Sequence, residues 1–269
     1  MPDPIPAEAL AFAARLADAS GAIIRQSLDA GRHYTAKSDR SPVTEIDRRV
    51  EATLRGMIER QFPDHGILGE EYGNAGLDRD FVWVLDPIDG TKAFITGIPT
   101  FGTLIALAYR GTPILGVIDH PVTEERWLGA DGHGTTLNGV PVRTRDASLD
   151  SAILTTGGID AFSDSELDGF NRLRRATNWC VYGGGCLAYG RLASGAIDLG
   201  VECGHDPFDF CALVPIVTNA GGAISDWEGN PLTIHSGHRY LVSGAPALHA
   251  RALELLTRPG SLAAREAQP

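Results

Sequence analysis

Two carboxylates three residues apart, Asp86 and Asp89, follow the apolar run Phe81-Val82-Trp83-Val84-Leu85. A buried strand that stops at Asp86 leaves charge where a core has no use for it. Pro87 stiffens the turn expected there and Gly90 lets the backbone pass close to a ligand. The amides of Gly90 and Thr91 can start a helical turn whose N-terminus holds an anion. Hard oxygen ligands beside such amides suit Mg²⁺ bound together with a phosphate. An ordinary turn, with one Asp capping the next helix, accounts for the same six residues, and on their own they do not choose.

The elements that must position this stretch are legible on either side of it. From Glu8 to Asp29 the apolar residues Leu10, Ala13, Ala17, Ile24 and Leu28 form one stripe of an amphipathic helix, with Gly31 as its stop. Thr44 is placed to cap a second helix with the buried stripe Ile46, Val50, Leu54, Met57 and Ile58, ended by Pro63. Gly66-Ile67-Leu68-Gly69 reads as a brief strand that delivers Glu70 and Glu71. Short β segments follow at Phe101 to Tyr109, Pro113 to Asp119 and Arg126 to Leu128, with a hairpin at Asn138-Gly139. Beyond about Ser148 strands alternate with helices: Ala152 to Thr155, Ser165 to Ala176, Trp179 to Tyr182, Leu187 to Ala193 and Ile197 to Val201. A helix from Asp209 to Asn219, strands at Ala223 to Asp226 and Tyr240 to Ser243, and a helix from Pro246 complete it. The pattern predicts an α+β half over 1–148 and an α/β half over 149–269, with a disordered tail after Pro259.

Composition narrows the function classes. The 269 residues are 43% hydrophobic and 21% charged with a net charge of -11, an ordinary globular balance without the clustered Lys and Arg that hold a nucleic-acid backbone. The acidity suits a protein that gathers divalent cations, and suits solubility equally. No secretory leader and no apolar stretch of membrane-spanning length is visible, so the expected location is the cytoplasm, with no membrane partner. Cys180, Cys186, Cys203 and Cys211 lack the paired spacing of a zinc site and read as small buried residues. His235 and His238 read as part of a surface loop.

With these residues in view, the chain resembles the inositol monophosphatase superfamily of lithium-sensitive, magnesium-dependent phosphatases. Four segments match in order. They are Lys37 with Ser41-Pro42-Val43-Thr44-Glu45-Ile46-Asp47, Gly69-Glu70-Glu71, Trp83 to Thr91, and Pro207-Phe208-Asp209 before Ala220-Gly221-Gly222. The resemblance implies a layered αβαβα sandwich and two to three Mg²⁺ per active site. One ion is expected on Glu70, Asp86 and the Ile88 carbonyl, a second on Asp86, Asp89 and Asp209, and a third near Glu70. It also implies that Glu70 and Thr91 orient and deprotonate the attacking water, with Asp47 accepting from the Thr91 hydroxyl. A first-turn carboxylate complementing its helix dipole is the other reading of Asp47. The amides of Gly90 and Thr91 are expected to hold the phosphate, no covalent phosphoenzyme is expected, and relatives are commonly homodimers.

For the small-molecule phosphate ester itself, the passages Phe62 to Gly69, Thr91 to Ile95, Phe101 to Leu107 and Gly116 to Pro121 look like the histidinol-phosphate phosphatase branch. Inositol-1-phosphate or a broader range of sugar phosphates is the alternative. A regulatory, RNA-associated role is a third, which the intact acidic set argues against. The leaving group is expected near Gly183, Gly184, Gly185 and Glu202, the last pairing with the ammonium of histidinol. Where that branch has Gly-Gly-Asp-Cys, this chain has Gly184-Gly185-Cys186, so an acid facing the substrate is missing.

Overall fold

The computed structural model describes Ile5, 7–28, 33–37 and 42–258. Gly31, Ser41 and the tail after Pro259 lie outside these residues. In chain order the elements are α1 (Ala7–Ser27), β1 (Tyr34–Ala36), β2 (Pro42–Thr44), α2 (Glu45–Gln61), β3 (Gly66–Gly69), β4 (Gly73–Ala75), β5 (Phe81–Asp89) and α3 (Thr91–Thr96). Then come β6 (Gly102–Tyr109), β7 (Thr112–His120), β8 (Glu125–Ala130), β9 (Gly134–Leu137), β10 (Val140–Pro141), β11 (Ile153–Thr156), α4 (Asp164–Ala176) and β12 (Trp179–Tyr182). The last are α5 (Gly185–Ala193), β13 (Leu199–Cys203), α6 (Pro207–Phe210), α7 (Leu213–Asn219), β14 (Ala223–Ser225), β15 (Arg239–Ser243) and α8 (Pro246–Thr257).

An eight-stranded sheet in the order β10-β9-β8-β7-β6-β5-β3-β4 and a five-stranded sheet in the order β12-β11-β13-β15-β14 organise the molecule. Alternation along single strands shows how they stack. On β5, Trp83 and Leu85 enter the core made with α1 and α2, whereas Val82 and Val84 enter a second core with α5 and α7. On β15, Tyr240 and Val242 share that second core, and Leu241 faces a third core with α4 and α8. The result is five layers: α1/α2, the large sheet, α5/α7, the small sheet, α4/α8. A strand covered on both faces must be apolar throughout, which is why residues 81–85 show no alternation of polarity.

Of the expected boundaries that change, two bear on the site. Strand β5 does not stop at Asp86 but runs through Asp89, and no turn forms at Pro87. The helix expected from Asp209 to Asn219 is two helices, because Pro215 has no N–H to bond the Cys211 carbonyl and the ladder breaks there. Elsewhere the local chemistry works as expected. Thr44 caps α2 in a reciprocal capping box with Asp47. Asn138 and Gly139, at φ 49° and 80°, form the tight hairpin turn between β9 and β10. All four thiols are unbridged, with Cys180 only half-buried, and His235 and His238 are exposed.

Candidate active site

The register of β5 against β6 decides where the two central carboxylates point. Asp86 lies opposite Leu104 and Asp89 opposite Gly102, so Pro87 and Ile88 together face the single residue Thr103. This is a β-bulge. In a regular strand residues three apart point to opposite faces; the extra residue restores the phase. Ile88 accordingly joins the α1/α2 core, although its parity with Asp86 would place it on the other face, and Asp89 returns to the side of Asp86. Pro87 fits a bulge because it has no N–H to withhold from the ladder.

On that side the short helix α6, opened by Pro207 and capped by Asp206, brings in Asp209. One carboxylate oxygen from each of Asp86, Asp89 and Asp209 lies within 4.8 Å of the others. Asp86 is buried, and its Oδ1 has no hydrogen-bond partner among the described residues. Burial first, then the charges of Glu70, Asp89 and Asp209, push the Asp86 carboxyl well above the usual range. Burial, then Asp89, does the same for Asp209. A buried oxygen without a donor, amid like charges, is satisfied by a cation, and an all-oxygen donor set fits Mg²⁺. Asp89 Oδ2 accepts from the Cys186 amide at 2.7 Å, and Asp209 Oδ2 from the Asp206 amide at 2.7 Å, so each keeps its other oxygen for an ion.

Glu70 stands just beyond β3, its N–H bonded to the Leu85 carbonyl. Burial pushes its carboxyl up to about 7, against the pull of Lys37. Lys37 Nζ lies 2.7 Å from both Glu70 Oε1 and Glu71 Oε1. The sequence reading matched Lys37 without assigning it work, and the structure makes it the counter-ion of that pair. Glu51 is a second residue that reading missed: buried on α2, it accepts from the amides of Glu71 and Tyr72 at 2.7 and 3.1 Å and so shapes the turn after Glu70. An acid inside the apolar stripe Val50, Leu54, Ile58 was the available signal.

Asp47 makes contacts compatible with both readings considered for it. Its Oδ2 accepts from the Thr44 amide in the cap of α2, and its Oδ1 lies 3.2 Å from the Thr91 hydroxyl. Burial raises its carboxyl despite bonds from Thr44 that act to lower it. The Thr91 hydroxyl is also 3.1 Å from the Ile88 carbonyl, so the carbonyl expected on a metal already has one neighbour. Gly90 adopts φ 80°, which favours glycine, and opens α3, whose first amides have no helical acceptor.

Glu202, Gly183, Gly184 and Gly185 come from the small-sheet side. Glu202, buried on β13, accepts from Tyr189 Oη at 2.6 Å and the Gly157 amide at 2.7 Å through Oε1, and from Thr156 Oγ1 at 3.3 Å through Oε2. Most of its capacity is therefore spent on the protein; Oε2 keeps a lone pair, with His205 Nδ1 4.0 Å away. Gly183 to Gly185 form the turn from β12 into α5. At Gly185, φ is +52° and a Cβ would lie 2.7 Å from the Thr100 carbonyl and 3.0 Å from Asp89 Oδ2. An acid could be restored at this position only if the loop tolerated a side chain, and the backbone has no room for one.

Comparison with known proteins places this arrangement. The chain is 43% identical over 251 residues to the bifunctional phosphatase IMPL2, chloroplastic, of Arabidopsis thaliana, covering 90% of this chain and 72% of that protein. It is 36% identical over 199 residues to a histidinol-phosphatase of Chlorobaculum parvum, covering 72% and 76%. Its fold superposes on an inositol monophosphatase from Zymomonas mobilis with a TM-score of 0.85 at 40% identity, covering 93% and 97%. Residues 6–259 match the inositol monophosphatase family, and the chain belongs to that family of phosphatases.

Proposed function

We propose that this chain is a Mg²⁺-dependent phosphomonoesterase that hydrolyses L-histidinol phosphate to L-histidinol and phosphate. The observation that carries the chemistry is the buried Oδ1 of Asp86, without a partner among the described residues, on one of three converging carboxylates. Glu70, Asp86, the Ile88 carbonyl, Asp89 and Asp209 are the residues that would hold two to three ions. When bound, such ions neutralise charge on the phosphoryl and leaving oxygens and acidify water. The amides of Gly90 and Thr91 hold phosphate oxygens. Thr91, oriented by Asp47, and Glu70 align a water for in-line attack and accept its proton. The P–O bond to the substrate alcohol breaks as the new P–O bond forms, and the departing alkoxide takes up a proton.

For the leaving group, the histidinol-phosphatase relative and the buried carboxylate of Glu202 support an amino alcohol, whose ammonium Oε2 can accept. Two observations favour inositol-1-phosphate or a wider range as the second reading: no acid fits at position 185, and a neighbour 40% identical is an inositol monophosphatase. Steady-state kcat/KM for both esters at saturating Mg²⁺ decides. Histidinol phosphate is expected to be preferred, and preference for inositol-1-phosphate overturns the substrate assignment. Asp86→Asn and Asp89→Asn are each expected to cost a hundredfold or more in turnover, on the order of a lost catalytic group. Near-normal rates in either folded variant overturn the metal assignment.

A further inference from the structure

We infer that Thr103, with Ser20 behind it, is the positioning residue that holds the β5 bulge in the phase that brings Asp86 and Asp89 to one face. The inference rests on the reading of those two carboxylates as metal ligands. Thr103 is the one residue of β6 opposite both Pro87 and Ile88. The Pro87 carbonyl belongs to the bulge, and the Thr103 hydroxyl donates to it at 2.9 Å. With that proton committed, Thr103 Oγ1 can only accept from Ser20, and the hydroxyl of Ser20 is in contact with it. A directed chain thus runs from α1 through β6 to the peptide between the ligands.

Both side chains are fully buried. Valine would satisfy the strand and the packing at 103 equally well, so a buried hydroxyl there needs a polar reason. Ser20 points the same way. Ser27, on the same helix, bonds back to the Ile23 carbonyl four residues earlier, whereas Ser20 reaches across to the sheet. Each bond in such a chain polarises the next, and the low-dielectric surroundings strengthen both. Without the Thr103 hydroxyl, the Pro87 carbonyl loses a bond that fixes its direction, and the peptide it belongs to is the one setting Asp89 relative to Asp86.

The test is direct Mn²⁺ binding to the full chain, followed by electron paramagnetic resonance at a temperature where circular dichroism shows every variant folded. Thr103→Val is expected to weaken Mn²⁺ binding on the order of tenfold, as loss of a group that orients ligands does. Thr103→Ser restores the hydroxyl and is expected to restore the affinity, and Ser20→Ala is expected to fall between. A role in stability alone would lower the melting temperature of Thr103→Val and leave its Mn²⁺ affinity at the wild-type value, which overturns the inference. Should Thr103→Val not fold, wild-type affinity in Ser20→Ala overturns it equally. Absence of Mn²⁺ binding by the wild-type chain, or undiminished binding by Asp86→Asn, instead removes the metal reading and this inference with it.

Discussion

At the scale of the residue, the bonds each group of the site already makes determine what it can still offer a ligand. The Thr91 hydroxyl has a single proton and two acceptors, Asp47 Oδ1 and the Ile88 carbonyl. In the proposed reaction it orients a water through its lone pairs, and little substrate affinity would rest on it. Thr91→Ala is expected to lower kcat about a hundredfold with KM nearly unchanged. A rise in KM alone, in initial-rate measurements, would reduce Thr91 to a phosphate ligand. The proposed function gives Glu202 two duties, carried by different oxygens. In Glu202→Gln the Gly157 amide would lose a charged acceptor and could meet an amide N–H, so a stability loss of about 1–3 kcal/mol is expected in thermal melts. Through Oε2, a further loss of about 2 kcal/mol in kcat/KM is expected for histidinol phosphate and not for an aryl phosphate. Equal kinetic losses on both esters would leave Glu202 with the scaffold role alone.

At the scale of the element, one inserted residue in β5 does what neither carboxylate could do by itself. Side chains at positions 86 and 89 of an unbroken strand face apart, and the bulge turns them together. A second local device holds the far side of the molecule. His249 of α8 sits between Ser225 of β14 and Ser243 of β15, each ring nitrogen 2.8 Å from a hydroxyl. Burial pushes its imidazole down to about 4. The folded state thus resists protonation while the unfolded chain takes up a proton near pH 6.5. This clamp is intact above pH 6.5, and its stability falls as pH drops from there toward 4, by about 3 kcal/mol in all. Denaturant melts across that window should show the slope in the wild type. His249→Gln, which keeps a hydrogen-bonding side chain without the titration, should lose this share of it. An unchanged slope would assign the acid sensitivity elsewhere.

At the scale of the whole molecule, the carboxylates proposed to hold metal come from both sides of a seam. Asp86 and Asp89 belong to the large sheet and Glu70 follows its strand β3, whereas Asp209 arrives on α6, next to the helix that packs on β7 and β8. Glycines let that helix approach. A Cβ at Gly116 would lie 2.0 Å from the Ala212 carbonyl, and one at Gly129 would lie 2.5 Å from Ile216 Cα. Both obstacles are backbone and cannot swing aside. Gly129→Ala must push α7 off the sheet, at a cost of about 1–3 kcal/mol, and move Asp209 with it. The melting temperature should fall, and the further stabilisation that added Mg²⁺ brings to the wild type should shrink. A lowered melting temperature with a full Mg²⁺ increment would show that the seam can open without moving the site.

Much of this was legible in the chain itself. The capped α2, the hairpin at Asn138-Gly139, the alternation after Ser148 and the acidic motif are written in local chemistry, where propensity, capping and turn residues agree. The local sequence also explains the break at Pro215, although the continuous apolar pattern concealed it. What only the tertiary structure decided is relational. The bulge exists because Pro87 and Ile88 face one residue of a strand more than a dozen positions away, and no pattern within β5 announces it. The counter-ion role of Lys37, the donors that occupy Glu202 and the absence of room at Gly185 likewise depend on which distant backbone lies alongside. Residue type states which interactions a side chain can make, and long-range packing determines which of them remain free for a ligand.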